Sequence, residues 1–153
     1  MAIIKSISGI RGTIGGKVNE NLTPVDTVKY AASYGTYLIN KFPNKIISIV
    51  IGRDARSSGP MIQNLVQNTL IGLGINCIDL GLSTTPTVEI AVINEKTNGG
   101  IIVTASHNPN NWNALKLLNE KGEFLDDNAG KEIIKIAQKN DFNFCRVKNI
   151  GSI

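Results

Sequence analysis

Histidine occurs once in this 153-residue chain, cysteine twice and tryptophan once, and aromatic residues make up only 5%. The two cysteines, Cys77 and Cys145, are far apart with no second Cys near either. That spacing excludes a C-x-x-C redox pair and a zinc ribbon and leaves two free thiols. No apolar run approaches the roughly 18–20 residues of a membrane span, so no membrane partner is expected. The N-terminal stretch MAIIKSISGIRG has no long apolar segment and no small-residue cleavage site, and the expected location is cytoplasmic. Sixteen basic against twelve acidic residues give a net charge of +4, a mild bias toward anionic ligands. The basic residues are scattered and aromatics do not interleave with them, so no nucleic-acid partner is expected. Nucleotide-binding templates are missing as well. Gly72-Leu73-Gly74 lacks the third glycine of a dinucleotide loop, and Gly16-Lys17 lacks the distal glycine and the Ser/Thr of a P-loop. Ser106 sits in A-S-H, not G-x-S-x-G, and the single histidine is its immediate neighbour, which argues against a hydrolase triad.

Against these absences stand 42% apolar and 18% charged residues, the balance of one globular domain with its own core. Residues 46–51 (I-I-S-I-V-I) are β-branched and nearly all apolar, as in a strand covered on both faces. Ser57-Ser58-Gly59-Pro60 then opens a helix carrying Met61, Ile62, Leu65, Val66, Leu70 and Leu73, which ends at Gly72 or Gly74. A strand over 75–80, a helix opened by Thr85-Pro86 and reaching Asn94, and a strand over 101–104 follow. This alternation describes consecutive βαβ units. Upstream, Thr23-Pro24-Val25-Asp26 starts a helix to about Lys41, with Val25, Val28, Ala32, Gly35, Ile39 and Phe42 as its apolar stripe. Ile3-Ile4 and Lys17-Val18 are candidates for a glycine-bent β-ribbon, and residues 115–118 for a fourth core strand. Asp126-Asp127 caps a last helix carrying Ile133, Ile134 and Ala137. The expected fold is α/β: a three-layer α/β/α domain over residues 1–140, with a mainly parallel, mixed sheet of about four strands. Residues 141–153 read as an extended tail or linker.

In an open parallel sheet, ligands bind at the edge where the strands end in their C-termini. That rule gathers residues 52–59 (G-R-D-A-R-S-S-G), 81–86 (G-L-S-T-T-P) and 104–109 (T-A-S-H-N-P). The loop Ser6-Ile7-Ser8-Gly9-Ile10-Arg11-Gly12 is a fourth candidate, its glycines allowing turns that present a guanidinium to an anion. Each feature has a plain structural reading beside the functional one. Ser57 and Ser58 fit helix caps and Asp54 with Arg56 an internal ion pair, so residues 52–59 read as scaffold. His107 stands in a polar loop and is open to either reading, Asn108-Pro109 alone is an ordinary turn, and Lys116 alone an ordinary exposed strand residue.

Taken together, Ser8-Gly-Ile-Arg-Gly12, Gly52-Arg-Asp-Ala-Arg-Ser-Ser58, the Thr-Pro after Gly81 and above all Thr104-Ala-Ser-His-Asn-Pro109 resemble, in order and spacing, the first domain of the α-D-phosphohexomutases, the phosphoglucomutase/phosphomannomutase and phosphoglucosamine mutase group. The resemblance covers essentially the whole chain. It implies a hexose phosphate substrate, with Ser106 carrying a phosphoryl group that passes to the sugar through a hexose 1,6-bisphosphate intermediate. It further implies that Arg11 and His107 contact the phosphoryl group, that Asn108 belongs to the same phosphate-binding set, and that Lys116 assists proton transfer at Ser106. A near-dianionic phosphoserine calls for such cations and donors. The resemblance also implies Mg²⁺, held by the Ser106 phosphate and by ligands from a further domain, and partner domains that read the sugar. Two departures stand out: Ala114 replaces the usual glycine of N-G-x-K, and the magnesium and sugar domains lie outside these residues. Which of glucose, mannose or glucosamine phosphate is bound is not encoded here. A phosphosugar- or phosphate-binding module without turnover is the alternative reading.

Overall fold

The computed structural model describes residues 3–6 and 9–153; Ile7 and Ser8, both in the expected N-terminal loop, lie outside the described residues. Six strands form one sheet: β1 Ile4–Ser6, β2 Gly9–Thr13, β3 Ser48–Arg53, β4 Asn76–Leu82, β5 Gly99–Val103 and β6 Trp112–Leu118. Four helices accompany it: α1 Pro24–Lys41, α2 Gly59–Gly72, α3 Thr85–Asn94 and α4 Asp127–Lys139. The strand order is β1-β2-β6-β5-β3-β4. Strand β3 pairs parallel with β4 and β5, the expected βαβ units, whereas the β5–β6, β6–β2 and β2–β1 pairings are antiparallel. The fold class is the expected one, and the sheet is wider because the glycine-rich N-terminus supplies two extra strands. The ribbon partner of β1 is β2, not Lys17-Val18, which lies in a turn.

The core divides at the sheet. On one face Ile49, Ile51, Ile101, Val103 and Leu115 meet α1, α2 and α4. On the other, Val50, Ile102 and Leu118 meet Val88 and Val92 of α3. Helix α2 buries Ile62, Val66 and Leu70 completely, each contributing about 1.5–3 kcal/mol relative to exposure. Helix α1 starts as its sequence dictates: Thr23 and Asp26 form a reciprocal capping box with Pro24 in the first turn. Its buried stripe is the expected one only in part: Ala32 and Gly35 are buried and Ile39 and Phe42 pack against the core. Val25 and Val28 are exposed, while Tyr30, Tyr34, Tyr37 and Leu38 are buried. The Tyr34 hydroxyl is why: it donates to the carbonyls of Leu118 (2.7 Å) and Gly100 (3.2 Å), so the ring enters the core with its polar end satisfied. Gly35 permits the close approach of α1 and α2, since a Cβ there would stand 2.6 Å from Leu73 Cδ1 and 2.9 Å from Leu70 Cδ2.

Asp126 caps α4 through Ala129 N, as expected. Beyond α4 the chain packs back on the domain. Cys145 N donates to Gly72 O and Gly151 N to Ile71 O, and Cys77 N on β4 donates to Ser152 O at 2.7 Å. No helix among the described residues is long and apolar enough to cross a membrane.

Candidate active site

Helix α3 packs on β3 and β5 and stops there. On the same face the antiparallel half of the sheet carries a different set of side chains. Registry aligns Lys116 with Ile102, and Ala114 with Arg11 and Ile4, so all of them point to the α3 side. Arg11 is exposed and Lys116 half-buried. Of the expected loop at 6–12, Ser6 belongs to β1 and Gly9–Gly12 to β2, with Arg11 in mid-strand. Gly9 serves close approach there: at φ 129° it lies against β6, where a Cβ would fall 2.0 Å from Leu115 O.

The T-A-S-H-N-P loop leaves β5 at the upper end of this open face. Ser106 adopts a left-handed φ of 53°. Its N–H donates to Thr104 Oγ1 (3.1 Å), whose hydroxyl donates to Asp54 Oδ2 (2.5 Å). Its Oγ accepts from Lys116 Nζ at 2.5 Å. A cleft of about 170 Å³ results, lined by Ser6, Arg11, Ser106, His107, Asn108 and Lys116 among others, with no carboxylate among the described residues of its wall. All five sequence-predicted site residues thus face one cleft. Neither the Arg11 guanidinium nor the His107 imidazole has a partner among the described residues. A serine hydroxyl, an ammonium held against it and two basic side chains without a partner among the described residues thus share one cleft, a set of donors whose chemistry suits an anion.

The other candidates divide. The 81–86 segment serves α3: Ser83 N donates to Arg53 O, and Thr84 caps the helix through Thr87 N. Ser58 occupies the N-cap position of α2, but its side chain makes no capping bond. It instead accepts from Asn113 Nδ2 at 2.8 Å, because at φ −79° and ψ −10° Ser58 is already helical and its hydroxyl cannot turn back to the first-turn amides. Asp54 and Arg56 do form the expected ion pair, Nε to Oδ2 at 3.1 Å. Reading residues 52–59 as scaffold missed where the guanidinium goes. Its NH1 and NH2 donate to the carbonyls of Ser106 (2.7 Å), Asn108 (2.7 Å), Pro109 (2.6 Å) and Trp112 (3.2 Å). The signal available in the sequence was G-R-D-A-R ending a strand beside the T-A-S-H-N-P strand. Phe124, also unforeseen, places its ring centroid 6.0 Å from Lys116 Nζ. Ala114 lies in β6 with an ordinary φ, so alanine in place of glycine asks nothing unusual of the backbone.

Among the described residues the donor set does not by itself make a magnesium site. Such a hard cation wants several oxygen ligands, and no group of three or more His, Cys, Asp or Glu is poised for a metal among the described residues. Asp126 caps α4 and Asp127 pairs with Lys131.

Residues 3–144 match the phosphoglucomutase/phosphomannomutase family, alpha/beta/alpha domain I. A probable phosphoglucosamine mutase of Methanosphaera stadtmanae is 35% identical over 97% of this chain and 32% of its own length. A phosphoglucomutase/phosphomannomutase of Thermococcus kodakarensis is 32% identical over 93% of this chain and 31% of its own. The chain thus spans about a third of these curated relatives. The crystal structure of a putative phosphomannomutase from Thermus thermophilus superposes with a TM-score of 0.79 at 25% identity, over 90% of this chain and 30% of that one. The motifs, the fold around the Ser106 cleft and these similarities agree, and the chain belongs to the phosphoglucomutase/phosphomannomutase family as its domain I.

Proposed function

We propose that this chain is the phosphoserine-carrying domain of a cytoplasmic phosphohexomutase that interconverts hexose 1-phosphate and hexose 6-phosphate through a hexose 1,6-bisphosphate. The observation that carries the reading is the 2.5 Å contact from Lys116 Nζ to Ser106 Oγ inside a cleft walled by Arg11 and His107. In a loose phosphoryl transfer the protein's work is positioning and charge stabilisation. Lys116 stabilises the charge that grows on Oγ as the Oγ–P bond breaks and shares its proton with that oxygen. Arg11 and His107 face the equatorial phosphoryl oxygens, and the Asn108 amide completes the set. Magnesium is part of the proposed enzyme, with ligands beyond the phosphate coming from outside this chain. The sugar-reading surface lies outside it too, so the isolated chain folds cooperatively but turns over no hexose phosphate.

The test is intact mass and peptide mapping of the protein expressed within its longer parent. Ser106 is the expected site of the phosphoryl group, and Ser106→Ala abolishes both the modification and mutase activity. A phosphoryl group placed reproducibly on Ser57 or Ser58, or activity that survives Ser106→Ala, overturns the assignment. Hexose phosphate isomerisation by the purified 153-residue chain, with host mutase excluded by the Ser106→Ala control, contradicts the claim that it is insufficient alone.

A further inference from the structure

We propose that Arg56 is the positioning residue that aims the Ser106 hydroxyl. A residue's backbone conformation is set once its two flanking peptide planes are fixed. The plane before Ser106 is held through its N–H on Thr104 Oγ1, and Thr104 is tied in turn to Asp54. The plane after Ser106 is held through its carbonyl, which accepts from Arg56 NH2 at 2.7 Å. Both ties lead to the segment that follows β3, and together they fix φ and ψ of Ser106. The conformation they fix is unusual. Left-handed φ in a residue other than Gly, Asn or Asp is uncommon and persists where its surroundings over-determine it. With the backbone fixed, Lys116 needs only to select the side-chain rotamer, and Oγ stands over the cleft.

Arg56 is built for this task. Its side chain is only 10% exposed, its Nε is held by Asp54, and its two terminal nitrogens reach the Ser106, Asn108 and Pro109 carbonyls of the loop between β5 and β6 and the Trp112 carbonyl that opens β6. A planar fork with five donors satisfies that arrangement, and a lysine ammonium with three donors on a flexible stem does not. Because Asp54 balances its charge and its contacts are carbonyls, Arg56 acts on the serine's direction and not on the phosphoryl group itself.

The inference rests on the proposed role of Ser106, so the experiment reads orientation and chemistry separately. In this chain, labelled with ¹³C and ¹⁵N, Ser106 is expected to show left-handed Cα and Cβ shifts. Arg56→Ala and Arg56→Lys lose them while the rest of the spectrum stays dispersed, and millimolar methylguanidinium restores them in Arg56→Ala alone. In the longer parent enzyme both variants lower kcat about 100-fold, the effect of misplacing a reacting group by an ångström, with KM for the sugar phosphate little changed. Left-handed shifts retained in either folded variant overturn the proposal. So does loss of folding in both, since Arg56 would then hold the domain and not the serine. If the wild-type parent carries no phosphoryl group on Ser106, the proposed function fails, while the shifts still decide the role of Arg56.

Discussion

Asn113 of β6 donates its amide, at 2.8 Å, to the hydroxyl of Ser58 at the start of α2, and in doing so joins the antiparallel half of the sheet to the helix that follows β3. Asn113 is fully buried and spends its carbonyl oxygen on Ala114 N. Ser58→Ala leaves that buried amide unpaired, a loss of about 1–3 kcal/mol in urea unfolding. Ser57→Ala, at an exposed position, stays within about 0.5 kcal/mol of wild type. In an Asn113→Ala background Ser58→Ala should cost little more, because the two changes remove one interaction. Full additivity would show that the contact contributes nothing.

Removing Lys116 and Arg11 should damage chemistry and spare the fold. Lys116→Ala in the parent enzyme is expected to slow phosphoryl transfer by about 10²–10⁴-fold, the usual contribution of a positioned proton-transfer group. Arg11→Ala should lose about 2.7–4 kcal/mol of transition-state stabilisation, as when a preorganised donor is deleted. Single-turnover rates and thermal melts decide it. An Arg11→Ala protein that melts early with transfer intact would move Arg11 from the site to the scaffold.

The two thiols should separate cleanly. Cys77 is 4% exposed, and burial, with the nearby Asp79 charge, pushes its pKa up to about 12. Cys145 is half-buried. Near neutral pH the thiolate is the reactive form, so native protein treated with an alkylating agent should take one label, on Cys145, and a second only after denaturation. Rapid labelling of Cys77 in the native state would mean that β4 opens far more readily than its packing implies.

Asp79 supplies a test at acid pH. Burial pushes its carboxyl up, but the nearby Gln67 amide, hydrogen bonds from the Gly81 N–H (2.7 Å) and Gln63 Nε2 (2.6 Å), and the Arg53 charge outweigh burial and hold it below the ordinary carboxylate value. The unfolded chain therefore binds the proton more readily than the native one. The contribution of Asp79 is fully present above the ordinary aspartate pKa and is lost as pH falls through the lower native value. Wild type should exceed Asp79→Asn in stability at neutral pH, and the gap should close on acidification. Parallel stability curves for the two proteins would refute the linkage.

The parallel half of the fold was legible because its strands are β-branched runs punctuated by Gly and Pro, so β3, α2, β4, α3 and β5 emerged in order. The antiparallel half was obscured by its own packing demands. Gly9 is present so that β2 can approach β6, and a strand reading G-I-R-G-T looks like a turn when read alone. In α1 the valines dominated the hydrophobic pattern, while Tyr34, which enters the core, depends on acceptors from β5 and β6 that no local window contains. The cleft was legible through Thr104-Ala-Ser-His-Asn-Pro109, Arg11 and Lys116. Arg56 was not, because its loop partners are main-chain carbonyls, which leave no trace in a side-chain pattern.

Strand β4 forms one margin of the sheet, and a bare margin of N–H and C=O groups invites strands from other molecules to pair with it. Here the Cys77 N–H is taken by the Ser152 carbonyl, and the Asn76 side chain receives both the backbone N–H and the hydroxyl of Ser152. Ser152 thus covers the Asn76–Cys77 end of this margin. Trimming residues 141–153 should leave the Ser106 cleft intact and yield a protein that self-associates at concentrations where the longer one stays dispersed.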